Sequence, residues 1–283
     1  MVSSVSVLTV AFGSYGKVEH WAQAWSSLGC RCIVCDNGGS LSSACFGNMK
    51  VLPYRGNSGF GEGINRAAAA ADTPLILITN PDTLPKNPGS LDSMVSAHSR
   101  GTIAGGLTYD NEGLIVHSTG IWPDVPWIRR QVLARAAPLW REDRFDWLQG
   151  SLMLLSREDF LRLGGFSSNY PLYFEDTDLC ARASRAGMKM VFHEDSSFIH
   201  TPGTGSSGSP AVRISCFHWG LAEFVRKHQP HEFHAARSYI FAKCALRALS
   251  LWPVMPSAAM GYLTAIRALA KKCPPQLPQR AHG

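Results

Sequence analysis

The stretch YPLYFEDTDLCARASRAG, residues 170–187, places three carboxylates within four positions, at Glu175, Asp176 and Asp178. Aromatic and apolar residues stand just before them at Tyr170, Leu172, Tyr173 and Phe174. Like charges repel, and apolar surroundings strip solvation from a carboxylate, so this crowding raises proton affinity. The same acids open a helix by pattern. Asp176 or Thr177 can cap it, and Leu179, Ala183 and Ala186 give it an apolar side. Asp178 and Arg182 form an i,i+4 pair that reads as the helix's own salt bridge, and Gly187 ends it.

Other stretches offer partners for this chemistry. In LILITNPDT, Asp82 follows a buried strand with Asn80 close by. A carboxylate there can hold Mg²⁺ or Mn²⁺ and share it with substrate phosphates, although Asn-Pro-Asp is also ordinary turn chemistry. RGNSGFGEGIN (55–65) has four glycines, Arg55 and Asn57 ahead of a helix, a pattern that lets backbone approach a ligand. It is not the dinucleotide fingerprint, which would need glycine where Ile64 stands. CDNGGS puts Asp36 at a strand end, where an acid commonly meets a ribose or base edge. His200 follows the acidic cluster by one helix and a pair of strands, a path that can return to the same sheet edge. A neutral imidazole there could complete coordination begun by Asp82.

The elements that must position these residues alternate over the first hundred positions. Strands are predicted at 5–12, 31–36, 50–54 and 74–79, with helices at 17–29 and 63–71. This is the pattern of a parallel sheet with crossover helices, in which ligands bind beyond the carboxyl ends of the strands. Residues 105–150 mix tryptophans, arginines and turn residues without a period, and predict loops and short strands over a substrate groove. A strand at 151–156, a helix at 157–163, two strands at 189–193 and 196–200, and a hinge at 201–210 follow. The C-terminal part reads as helical and basic. Residues 248–266 hold no charge, but Pro253 and Pro256 break any straight span and Arg247, Arg267, Lys271 and Lys272 flank it. Two short amphipathic helices, packed on the domain or lying on a membrane surface, fit this pattern.

The totals agree with a globular chain: 283 residues, 45% hydrophobic and 17% charged. Net charge is +6 and pI about 9.0, which suits a nucleotide, a nucleic acid or an anionic membrane surface. The N-terminus lacks the basic start and long apolar run of a signal peptide, so the eight cysteines imply a reducing compartment. CRCIVC (30–35) lacks a matching second pair, and its thiols read as small hydrophobes in a buried strand.

Taken in order, VLTVAF, CDNGGS, GNSGFGEGINRA, LILITNPDT, GSLMLLSREDFLRLGGF, YFEDTDLCARASRAG and HTPGTGS resemble the family-2 glycosyltransferases of GT-A fold, especially their bacterial rhamnosyltransferase-like branch. The matching pieces span about residues 5–208. The resemblance implies an α/β fold with a Rossmann-like, mostly parallel sheet and a C-terminal helical extension. Residues 1–208 would form the nucleotide-sugar-binding and catalytic domain and 209–283 a helical segment. Thr9 and Asp36 would contact the nucleotide, with Arg55, Asn57 and Asn80 nearby. Asp82 would bind the metal as the last acid of the family's acidic motif, whose first acid is Asn80 here. Glu175 and Asp176 match the family's acid pair, with Asp176 as catalytic base, and His200 completes the metal site. DWLQGS (146–151) matches an acceptor-groove segment, so Trp147 could stack on a sugar and Gln149 hydrogen-bond a hydroxyl. RISCFHWGLAEFVRKHQP (213–230) resembles the post-catalytic helix, with Cys216-Phe217 where the family often has two tyrosines.

The implied activity is inverting transfer from a nucleoside-diphosphate sugar, dTDP-rhamnose or a UDP-hexose, to a glycan or lipid-linked glycan. Mg²⁺ or Mn²⁺ would be the cofactor. The implied place is the cytoplasm or the cytoplasmic face of the inner membrane, with no nucleic-acid partner. A nucleotidyltransferase would instead need a glycine- and arginine-rich loop with a lysine after the first strand, where this chain has AFGSYGKVEH. A non-catalytic relic of the fold would have no reason to keep Asp82, Asp176 and His200 together. For a nucleic-acid module, no recognised motif is present.

Overall fold

A computed structural model of the chain describes residues 4–13, 15–39, 41, 49–53, 55–133, 144–200 and 209–279. Tyr54 of the predicted third strand and residues 201–208 of the predicted hinge lie outside the described residues. The N-terminal alternation is realised as β1 (Val5–Ala11), α1 (Tyr15–Ser27), β2 (Arg31–Asp36), β3 (Lys50–Leu52), α2 (Phe60–Ala70) and β4 (Leu75–Thr79). Then come β5 (Thr83–Pro85), α3 (Gly89–Ala97), β6 (Thr102–Tyr109), β7 (Ile115–Val116), β8 (Thr119–Gly120) and α4 (Val125–Leu133). They are followed by β9 (Trp147–Leu148), β10 (Leu152–Ser156), α5 (Arg157–Arg162), α6 (Glu175–Arg185) and β11 (Lys189–His200). The chain closes with α7 (Pro210–His228), α8 (Phe233–Leu251) and α9 (Pro256–Lys271).

The main sheet runs β3-β2-β1-β4-β10-β6-β11-β5, with β7 beside β6. The β3-β2-β1-β4 half is parallel, β10 lies antiparallel between β4 and β6, and β11 is parallel to β6. All seven residues of β1 are buried, as a strand covered by helices on both faces requires. Strand alternation sorts the side chains. Leu8, Val10, Ile33, Cys35, Ile76 and Ile78 face α2, α5 and α6. Val7, Ala11, Cys32, Val34 and Leu77 face α1 and α3. Burial pushes the Cys32 and Cys35 thiols up to about 11, so both behave as apolar side chains, and the seven described cysteines are unpaired.

Three local expectations change. Residues 105–109, at the start of the stretch expected to hold loops and short strands, belong to a buried central strand, 102–109. Gly105 and Gly106 interrupt its apolar pattern, and a Cβ on Gly106 would come within 2.7 Å of the Ser196 carbonyl oxygen. The two strands at 189–200 are one strand whose register shifts between His193 and Ser197. Neither Asp176 nor Thr177 caps α6. It starts at Glu175 after Phe174, whose φ of 70° is left-handed, and Ala186 is exposed rather than on its apolar side.

The C-terminal helices share one core with α4 and the segment before α6, through Trp127, Tyr170, Phe174, Phe224, Ile240 and Ala265. As expected, the prolines divide the uncharged stretch: α8 stops at Leu251 and Pro256 opens α9. No helix among the described residues is long and apolar enough to cross a membrane.

Candidate active site

A cavity of about 510 Å³ opens at the carboxyl ends of β1, β2 and β4, between the acids of α6 and the first turns of α7. It brings together Asn57, Asn80, Asp82, Trp147, Gln149, Glu175, Asp176 and His200. Sheet register explains the pairing of Asp82 with a residue far away in sequence. β5 begins just after Asp82, and Thr83 is aligned with His200 at the end of β11. His200 Nε2 therefore lies 3.6 Å from Asp82 Oδ1 and 3.3 Å from Asn80 Nδ2. Burial lowers the imidazole's pKa and the Asp82 carboxylate opposes that only partly, so His200 is neutral near pH 7 and available as a ligand.

Among the described residues no group of three His, Cys, Asp or Glu could hold a metal ion. A carboxylate beside a neutral imidazole is a partial donor set. It fits a Mg²⁺ or Mn²⁺ ion whose remaining ligands are diphosphate oxygens and water.

The acid pair divides into two environments. Asp176 lines the cavity, and its Oδ2 accepts the Gly150 N–H at 2.8 Å while Oδ1 accepts the Thr177 N–H at 2.7 Å and the Thr177 hydroxyl at 3.2 Å. Burial raises its pKa, and these donors pull it back down. Glu175 is buried and its Oε2 has no hydrogen-bond partner. Burial, then the neighbouring Asp176 charge, hold its pKa well above the carboxylate range. One acid is therefore poised to ionise and its neighbour to stay neutral, the pattern by which adjacent carboxyls acquire separate roles.

Asp178 turns away from the cavity. Fully buried, it meets Arg182 Nε at 2.7 Å, Lys227 Nζ at 2.7 Å, His228 Nε2 at 2.8 Å and the Tyr170 hydroxyl at 3.3 Å. Burial alone would raise its pKa, but His228, Lys227 and Arg182 hold it well below the usual range. The expected salt bridge with Arg182 is present, and the network also ties α6 to the end of α7.

Three expected nucleotide contacts lie off the cavity wall. Thr9 is fully buried on the α1 side of β1, opposite Val10, because successive side chains alternate faces. Asp36 spends both oxygens on backbone: the Gly38, Gly39 and Leu41 N–H groups donate at 2.9, 2.8 and 2.9 Å, holding the turn after β2. Arg55 is exposed. Their places on the wall are taken by Val10, Phe12 and Asn37. Asn37 donates to the Gly59 carbonyl at 2.9 Å and to Asn57 Oδ1 at 3.3 Å. The glycines after Arg55 serve packing: Gly59 has a φ of 96° and lies against the Pro171 carbonyl, and Gly63 lies against Val10. Of the acceptor candidates, Trp147 donates its indole N–H to the Ile121 carbonyl at 3.0 Å, and Gln149 Oε1 accepts from the Ser151 hydroxyl at 3.1 Å.

Five more wall residues come from the C-terminal segment, Val212 of α7 among them. Arg213 and Phe217 project from α7, and Leu277 and Pro278 return from beyond α9. Asn57 Nδ2 donates to the Pro278 carbonyl at 2.8 Å.

A family described as glycosyltransferase like family 2 matches residues 43–235, more than half of the chain. The chain belongs to this family. This glycosyltransferase adopts the GT-A fold, a curled, mostly parallel sheet with flanking helices and further helices at its C-terminus. It is 29% identical over 221 residues to the N-acetylglucosaminyl-diphospho-decaprenol L-rhamnosyltransferase of Mycobacterium tuberculosis, covering 66% of this chain and 71% of that protein. It is 47% identical to rhamnosyltransferase WbbL of Escherichia coli K12 over 47 residues, 17% of this chain and 18% of that protein. Among solved structures, it is similar in fold to the mannosyltransferase PcManGT of Pyrobaculum calidifontis in complex with GDP-Man and Mn²⁺. There the TM-score is 0.52 at 13% identity, over 95% of this chain and 87% of the other.

Proposed function

We propose that this glycosyltransferase moves a sugar, with inversion, from a nucleoside-diphosphate sugar to a hydroxyl of a glycan or lipid-linked glycan, in the cytoplasm or at the cytoplasmic face of a membrane. Residues 1–208 form the catalytic unit, completed by cavity residues from 209–283. The observation that supports this reading best is the contrast between Asp176, facing the cavity and held by three donors, and its buried neighbour Glu175, whose Oε2 has no hydrogen-bond partner. Asp176 takes the acceptor's proton as the hydroxyl oxygen bonds the anomeric carbon and the bond to the diphosphate breaks. Glu175 keeps the site from holding two like charges. Asp82 and His200 would hold a divalent ion, which when bound neutralises charge on the diphosphate. Arg213 adds positive charge to the same cavity. Asn37, Asn57 and Asn80 line the side of the cavity assigned to the nucleotide, and Trp147 and Gln149 the side assigned to the acceptor. The rhamnosyltransferase relatives favour dTDP-rhamnose as donor, with a UDP-hexose second.

The test is thermal stabilisation by a panel of nucleoside diphosphates and nucleotide-sugars, with and without Mn²⁺. A ligand at 100 times its Kd adds about 2.7 kcal/mol. One nucleotide should stabilise the wild type in a Mn²⁺-dependent way, and Asp82→Ala should lose the metal dependence. Equal stabilisation with and without Mn²⁺ would remove Asp82 from a metal site, and no response to any nucleotide would overturn the donor reading.

A further inference from the structure

The basic balance of this chain has one source. Residues 233–283 contain seven Lys and Arg and no Asp or Glu, whereas the preceding 232 residues contain 20 basic and 21 acidic side chains. Five of these seven, Arg237, Lys243, Arg247, Arg267 and Lys271, stand on α8 and α9, which carry no acid. Exposed apolar surface gathers in the same place. Of the nine large hydrophobic side chains that are exposed among the described residues, six lie between residues 246 and 260: Leu246, Leu249, Trp252, Val254, Met255 and Met260. Leu249 is 77% exposed, Val254 72% and Trp252 55%. They surround the elbow where α8 ends at Leu251 and α9 begins at Pro256.

We propose that this elbow docks on the surface of an anionic lipid bilayer. The geometry matches the layering of such a surface. At about 1.5 Å per helical residue, Arg247 lies roughly 8 Å, Lys243 about 13 Å and Arg267 about 16 Å back from the tip. A tip sunk about 5–10 Å into the boundary of headgroups and acyl chains brings Arg247 level with lipid phosphates, with Lys243 and Arg267 farther out on the same side. A second copy of the chain fits less well, because a symmetric contact would press two acid-free, basic helix pairs together. Docking also has a consequence for the cavity. Met260 precedes Gly261, where an added Cβ would meet Ala211 and Ile214 of α7 at 2.9 Å, and the adjoining Val212 and Arg213 line the cavity. The docked tip thus holds the cavity wall within a helix diameter of the lipid surface, where a lipid-linked acceptor would be presented.

The test is co-sedimentation of the full chain with vesicles of phosphatidylcholine, with and without phosphatidylglycerol, across a salt series. The wild type should bind only the anionic vesicles, and more weakly as salt rises. The double variant Trp252→Glu, Val254→Glu should lose binding by at least tenfold at an unchanged melting temperature, since both side chains are exposed. Arg247→Gln should weaken binding about fivefold, the effect of about one basic contact at a charged surface. Asp176→Asn should bind vesicles as the wild type does, so failure of the transfer chemistry and failure of docking are told apart. No wild-type binding to anionic vesicles, equal binding to both vesicle types, or equal binding by the tip variant would overturn the proposal. So would a wild-type dimer in sedimentation velocity that the tip variant converts to monomer.

Discussion

Replacing Asp176 by Asn separates the base from its geometry. The carboxylate now accepts at both oxygens, from Gly150 and Thr177 backbone N–H groups at 2.8 and 2.7 Å. An amide of the same shape has one acceptor, so its NH₂ must face one of those donors. Leaving a partly buried donor unsatisfied costs about 1–3 kcal/mol. Against this, the variant no longer has to ionise a carboxyl whose pKa burial has raised, a gain of about 1.4 kcal/mol per unit of that rise. The two effects oppose, so the melting temperature should move by only a few degrees. Transfer should fall far more: loss of a positioned base costs about 10²–10⁴ in rate, or roughly 3–5 kcal/mol of barrier. The assay is release of nucleoside diphosphate in the presence of acceptor, paired with nucleotide binding ± Mn²⁺, which should persist. In the wild type, transfer needs ionised Asp176, so kcat/KM should fall as pH drops through a value above the ordinary aspartate range and level off above it. Turnover within tenfold of wild type, or a larger loss in Glu175→Gln than in Asp176→Asn, would refute the assignment.

Glu175→Gln should stabilise the protein near neutral pH. The folded pKa of Glu175 is raised, so its contribution is intact below the unfolded value and lost as pH rises. The melting-temperature gain should be near zero at about pH 4 and grow toward neutrality. Asp178→Asn should destabilise by about 3 kcal/mol, the lower end for breaking a buried pair because Arg182 and Lys227 are partly solvated. Asp178 has a depressed pKa, so that difference should shrink as the wild type is taken into acid. Removing residues 273–283 releases the Asn57 amide from the Pro278 carbonyl. One hydrogen bond of about 1 kcal/mol predicts roughly fivefold tighter nucleoside diphosphate binding, and weaker binding would show instead that the returning segment is part of the nucleotide wall.

Much of the architecture was legible because apolar runs of strand length need burial on both faces, as in β1, β2 and β4. β6 was not, since Gly105 and Gly106 break its pattern for the sake of a side chain, Leu148, and a carbonyl, Ser196, that come from elsewhere in the chain. At the site, Asp82 was placed by its position after a buried strand. Its proximity to His200 depends on the β5–β11 register, which has no local signature. Thr9 and Asp36 were expected to contact the nucleotide, and counting by twos along the strands gives the phase of each. Val10 and Phe12, like Cys35 and Asn37, share the phase of the cavity face, while Thr9 and Asp36 have the opposite phase. Arg213, Phe217, Leu277 and Pro278 reach the cavity only through helix packing and chain return, which no spacing encodes.

The division of labour between Glu175 and Asp176 depends on the turn that precedes them. Tyr173 and Phe174 both have positive φ, 67° and 70°, a conformation that costs a non-glycine residue about 1–2 kcal/mol. Two such residues in a row persist only if packing over-determines them. The Phe174 ring packs at a tilt against Phe217 and Phe224, with centroids 5.4 and 6.2 Å away, and Gly220 leaves room on α7 where a Cβ would meet Phe174 at 2.8 Å and the Tyr173 carbonyl at 2.9 Å. Behind the turn, Asp178 clamps α6 to Lys227 and His228 at the far end of the same helix. Helix α7 is thus fixed to α6 on both sides of the acids while supplying Arg213 and Phe217 to the cavity. If this turn relaxed, Asp176 would lose the Gly150 donor and Glu175 its apolar enclosure. The packing that holds this turn therefore also holds the separate environments of the two acids.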